Sequence, residues 1–133
     1  MADQLTTATS ITYTPPKAAA NSGQSTLGTS GVYNAAAVGS IDVPNGTTVG
    51  TVFSIPFNSV DNAKTVIVRN DMTSDIGIRL NGAVADNFEL APSGEMVISN
   101  PVAPGTTPIT AVDVVTTADP TNLERLFYWI FGD

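Results

Sequence analysis

The side chains able to do chemistry in this chain are almost all carboxylates. The 133-residue sequence holds no histidine and no cysteine, so neither a Ser–His nor a Cys–His pair can be assembled. The same lack removes disulfides and thiolate zinc sites. Two carboxylate pairs stand close in sequence, Asp71 with Asp75 and Asp86 with Glu89. A glycoside hydrolase needs two such groups facing each other across a bond. Both pairs lie in or beside turn-rich segments, where Asp is favoured because its side chain bonds nearby backbone, and a turn role is the reading adopted. Calcium takes roughly six to eight oxygens. The EF-hand pattern and any dense acidic loop are missing, which leaves irregular β-loop sites, for example around Asp71 and Asp75, as the form a cation site could take. Asn45-Gly46-Thr47 matches a glycosylation acceptor but is also a common turn tripeptide, and is read as a turn. The glycines sit at turns and build no phosphate loop. The expectation is a protein that is not an enzyme, with no catalytic residue, metal or cofactor.

The second group of informative residues is aromatic. Leu126-Phe127-Tyr128-Trp129-Ile130-Phe131 is apolar on both parities, so both faces of such a strand need a cover. Phe127, Tyr128 and Trp129 could stack sugars. A core strand or subunit interface is the expected role, with Tyr and Trp tips hydrogen-bonded. Phe127, Trp129 and Phe131, one of the two parities, are the candidate interface.

Short strands must position these residues. Val49, Thr51, Phe53, Ile55 and Phe57 share one parity, and period-2 alternation is the strand signal. Thr65–Arg69 is rich in β-branched residues. Ile76-Gly77-Ile78-Arg79-Leu80-Asn81 alternates cleanly up to Asn81-Gly82, a strong turn dipeptide. Phe88 and Leu90, then Glu95–Ser99, then Ile109–Thr117 follow, separated by the turn Ala91–Gly94 and a Pro/Gly loop over Asn100–Pro108. Asp119-Pro120 carries the signature of a single helical turn. Ile76, Ile78, Leu80, Phe88, Leu90, Met96 and Ile98 are expected to face the core, with Arg79 and Glu95 turned outward. Seven short strands between turns imply an all-β, antiparallel β-sandwich. One or two more strands from the N-terminal region would complete an eight-stranded jelly roll.

Residues 1–48 differ in texture. They are mostly Ala, Thr, Ser, Gly, Asn and Pro, and Thr14-Pro15-Pro16 favours extended or polyproline geometry. The expected organisation is a long extended N-terminal arm, residues 1–48, and a β-sandwich body, residues 49–133. Ordering an arm costs about 1–2 kcal/mol per residue in backbone entropy, so it gains order by lying on something else. Ile11, Tyr13, Val32 and Tyr33 are its expected anchors.

Only 13% of residues are charged, and the net charge is −7. A lone soluble chain normally keeps a mixed, charged surface; here much of the surface is Thr, Ser, Asn, Ala and Gly, which suits packing against protein. Lys17, Lys64, Arg69, Arg79 and Arg125 are scattered, so no basic patch exists to neutralise phosphates or an anionic membrane. No apolar run reaches membrane-spanning length. The start Met-Ala-Asp-Gln lacks the features of a signal peptide, which implies synthesis in a cytoplasm without export by the usual route.

The order Thr65-Val66-Ile67-Val68-Arg69-Asn70, Ile78-Arg79-Leu80-Asn81-Gly82, Phe88-Glu89-Leu90-Ala91-Pro92-Ser93-Gly94-Glu95 and the closing Leu126–Asp133 resembles small virion proteins of tailed bacteriophages, of the capsid decoration (cement) kind. The resemblance covers roughly residues 60–133. It implies a structural protein on the outer capsid surface, whose partners are the major capsid protein and further copies of itself, a trimer ahead of a dimer. Such proteins do no chemistry and add buried area at capsomer seams. No nucleic acid and no membrane are expected partners, and an acidic chain suits the outside of a shell better than its DNA-facing inside. The rival reading is a phage surface or tail-associated β-domain that binds host glycans through Trp129, Tyr128 or loop residues.

Overall fold

The computed structural model describes residues 3–13, 23–33, 35–99 and 107–133, the first two segments as strand path and pairing alone. The described chain is all-β. Ten strands run β1 (Asp3–Tyr13), β2 (Gly23–Tyr33), β3 (Ala35–Val43), β4 (Val52–Ser54), β5 (Ala63–Asn70), β6 (Ile76–Leu80), β7 (Phe88–Leu90), β8 (Glu95–Ser99), β9 (Val112–Thr116) and β10 (Glu124–Gly132). They form a two-stranded β1–β2 ribbon and two four-stranded sheets, ordered β3-β10-β5-β8 and β4-β9-β6-β7, with every pairing antiparallel. All seven strands expected from alternation are present, with shorter bounds at β4 and β9.

The core lies between the two four-stranded sheets. Ala37 and Val43 of β3, Val66 and Val68 of β5, Ile76 and Ile78 of β6, Val112 and Val114 of β9, and Leu126, Tyr128 and Ile130 of β10 are buried there. Strand side chains alternate between faces, and within each of these sets the residues share one parity. Leu80, Leu90, Met96 and Ile98 pack against this cluster while partly exposed. Phe88, expected in the core, is 47% exposed. It has the inward parity, opposite Ile78, but β7 is the sheet edge and the sandwich does not close over it.

Residues 35–43, assigned by composition to the arm, form the eighth body strand. β3 pairs with β10 along its whole length, from Ala35↔Gly132 to Val43↔Glu124. Its poverty in large side chains has a local reason. A Cβ placed on Gly39 would stand 2.7 Å from the Tyr128 hydroxyl oxygen, so a small residue there gives the tyrosine its room. Among the described residues, the β1–β2 ribbon is what precedes the body. Thr14-Pro15-Pro16, Lys17 and most of the Asn100–Pro108 loop lie outside the described residues.

Turn chemistry is as the dipeptides suggest. Asn81 and Gly82 have φ of 52° and 74°, and Ala83 N–H donates to Leu80 O at 3.1 Å, the backbone signature of a tight turn with two left-handed residues. The Asn81 side chain then anchors the facing loop. Its Oδ1 accepts from Thr110 N–H at 2.8 Å and its Nδ2 donates to Pro108 O at 2.9 Å. Asp119-Pro120 makes no helical turn. Asp119 Oδ1 instead accepts from Val49 N–H at 2.7 Å, and Pro120 O accepts from Gly46 N–H at 3.0 Å. The cap-like carboxylate is used across loops, on the Val49 N–H, in place of a helix start.

Candidate interaction surface

β10 is the second strand of its sheet and shows what alternation does with an all-apolar run. Leu126, Tyr128 and Ile130 enter the core, and Phe127, Trp129 and Phe131 lie on the outward face, each partly exposed. The Phe127 and Trp129 rings stack at a centroid distance of 6.4 Å and 29° between planes. Tyr128, considered with Trp129 as a sugar platform, is on the opposite side of the sheet. It is 6% exposed, so the two rings cannot form one platform.

Register extends the outward apolar set across all four strands. Val38 of β3 sits opposite Trp129, Trp129 opposite Ile67 of β5, and Ile67 opposite Val97 of β8. Val38 is 56% and Val97 40% exposed. Such a row spans three interstrand spacings, about 14 Å. The neighbouring row, Ser40–Phe127–Arg69–Glu95, brings charge at one end. From that row Arg69 Nε meets Asp71 Oδ1 at 2.8 Å, and beyond it Arg125 Nε meets Asp42 Oδ1 at 2.6 Å. The face is an apolar band with a charged margin, the usual arrangement of a protein contact surface.

Ile67 and Val97 were legible in principle. Val66-Ile67-Val68 is apolar on both parities, just as Leu126–Phe131 is, and the same covering argument applies to it. Val38 gave no such signal, because it is one valine within an Ala/Gly/Ser stretch. Of the expected arm anchors, Ile11 pairs in register with Ser25, Tyr13 with Gly23, and Tyr33 with Asp3. Strand parity and this register put Ile11, Tyr13 and Tyr33 on one face of the ribbon, with Leu5 and Leu27. Val32, opposite Gln4, falls on the other face.

A cleft of about 520 Å³ opens beside Phe127, lined also by Asp71, Thr73, Asn122, Leu123, Glu124 and Arg125. Glu124 Oε1 accepts from Thr73 N–H at 3.1 Å and from the Thr73 hydroxyl. One carboxylate of each pair weighed as catalytic is engaged in an ion pair. Asp71 pairs with Arg69, and Asp86 pairs with Arg79 at 2.7 Å. Asp71 and Asp75 lie in the loop between β5 and β6, and the Asp75 carbonyl accepts from Thr117 Oγ1 at 2.5 Å. Among the described residues no group of three or more Asp or Glu is placed to hold a metal ion, and no helix is long and apolar enough to cross a membrane.

Comparison with known protein families, with characterised proteins and with solved structures finds nothing that matches this chain.

Proposed function

We propose that this chain is a structural virion protein, a capsid decoration protein that binds the outer face of a phage capsid and stabilises the seams between capsomers. The observation that carries the reading is the outward apolar band Val38–Trp129–Ile67–Val97. It lies on a small, sparsely charged sandwich that also bears a two-stranded ribbon. A band of this kind is costly in water and marks a contact surface. Its partners in this reading are the major capsid protein and further copies of the chain, on the outside of the particle. The body is a jelly roll in the same reading. The orders β3-β10-β5-β8 and β4-β9-β6-β7 support it, because successive strands change sheet at every step except β6 to β7, as two Greek keys folded on each other require.

The test is stoichiometry and add-back. Purified particles should carry the chain in a number that scales with the capsomer seams. Particles stripped of it should release their DNA at a lower temperature and regain stability when the protein is returned. Deleting residues 1–33, which spares β3, should leave the body folded and weaken retention on heated particles. A handful of copies per particle, or no stability regained on add-back, would overturn the reading.

A second reading, a virion surface domain that binds host glycans, is favoured by the cleft. Carboxylates, Asn122 and Thr73 beside an aromatic ring are the groups that bond and stack a sugar. Titration with host surface polysaccharide tests it: loss of binding in Phe127→Ala and Asn122→Ala would favour this reading, and no binding by the intact chain would remove it.

A further inference from the structure

We infer that the β1–β2 ribbon of one copy packs on the outward band of a second copy, so that the chain assembles by exchange of its N-terminal ribbons. The inference rests on reading that band as an assembly surface and names its occupant.

Three observations carry it. First, the large apolar residues of the ribbon fall mostly on one side. Register and parity place Leu5, Ile11, Tyr13, Leu27 and Tyr33 on one face, together with Asp3, Thr7, Thr9, Ser25 and Thr29, while the other face has Val32 as its large apolar residue among Gln4, Thr6, Ala8, Ser10, Thr12, Gln24, Thr26 and Ser30. Two strands alone are marginal in water, so the apolar side needs a sheet to rest on. Second, among the described residues the opposite sheet packs on the inner face and leaves the band half-buried to exposed. Third, the ribbon cannot cover its own band. Only Asn34 separates β2 from β3. Packed sheets stand about 10 Å apart, and one residue spans at most about 3.6 Å. A one-residue link is too short for β2 to rise off the edge strand it continues into and lie back over the same sheet. Leu27 and Ile11 are paired near each other, and Leu27 is six residues from Tyr33, about 20 Å along the strand. That cluster reaches a neighbour.

Ribbon-on-band contact is heterologous, with different patches on the two partners, and it closes only in a ring. A cyclic oligomer follows, with each copy both giving and receiving a ribbon.

The cysteine-free chain makes the test direct. Full-length Ile11→Cys or Leu27→Cys is co-expressed with full-length Val97→Cys or Val38→Cys and oxidised. Disulfide-linked heterodimers should form at least tenfold more readily than with the polar-face variants Ser10→Cys or Thr26→Cys. The double variant Val38→Asp/Val97→Asp changes only exposed positions and should stay folded by circular dichroism while its oligomer dissociates at least tenfold more easily. Equal cross-linking from both ribbon faces would overturn the inference. So would Ile11→Cys/Val97→Cys in one chain closing within the monomer, or an aspartate variant with unaltered association. All of this is read on isolated protein. Failure here leaves capsid binding to stand on stoichiometry and add-back, and failure there leaves the exchange to stand on cross-linking.

Discussion

The two four-stranded sheets have opposite outer faces. Outside β4-β9-β6-β7 lie Asp113, Arg79 and Glu89, and Asp113 and Arg79 are register partners. The Asp86 carboxylate folds over Gly77 to reach Arg79, so closely that a Cβ on Gly77 would stand 2.2 Å from it. Outside β3-β10-β5-β8 lies the band of Val38, Trp129, Ile67 and Val97, with charge only at its margin. Both sheets draw on the same sparse supply of charge, yet one spends it across its outer surface and the other keeps it at the edge. Each outer face carries several charged residues, Asp113, Arg79 and Glu89 on one and Asp42, Arg125, Arg69 and Glu95 on the other, and the faces differ in where that charge sits. What sets the second face apart is the apolar row at its centre.

The largest effect should come from the side the two sheets share. Ile78→Ala removes a fully buried side chain and should cost about 2–5 kcal/mol in urea unfolding; a loss below about 1 kcal/mol would show that inner and outer faces have been exchanged. Asn70→Ala should follow. Asn70 is completely buried, donates to Ser74 O at 2.8 Å and Leu90 O at 2.9 Å, and accepts from Met72 N–H at 2.9 Å. Removing that side chain leaves buried groups unpaired, a cost of about 1–3 kcal/mol, measurable in the same experiment.

The outer faces should part company under a matched pair of substitutions. Val97→Asp and Val52→Asp both change an exposed valine, one on each sheet, and each should leave folding stability within about 0.5 kcal/mol. Sedimentation should show weakened self-association for Val97→Asp alone. Equal behaviour of the two variants would erase the contrast. The smallest effect belongs to the charged margin. Arg125 and Asp42 are about half exposed, so Arg125→Ala should cost less than about 1 kcal/mol, and less still in high salt.

The sequence by itself determined the class of structure and most of its elements. Alternation at Ile76–Leu80, β-branched density at Thr65–Arg69 and turn chemistry at Asn81-Gly82 are local, and each acts within a few residues of itself. The absence of His and Cys was equally plain, as was the need of Leu126–Phe131 for two covers. What only the tertiary structure decided were matters of long-range pairing. β3 has no local strand signal; it is ordered by hydrogen bonds to β10, a strand some 90 residues away in chain order. Asn70 reads as the start of a turn and becomes a buried hub because Leu90 and Gly94 are brought beside it. The outward parity of β10 followed from register too. An all-apolar strand offers both faces equally, and only its partners β3 and β5, with their own inner residues committed to the core, choose which face is left outward.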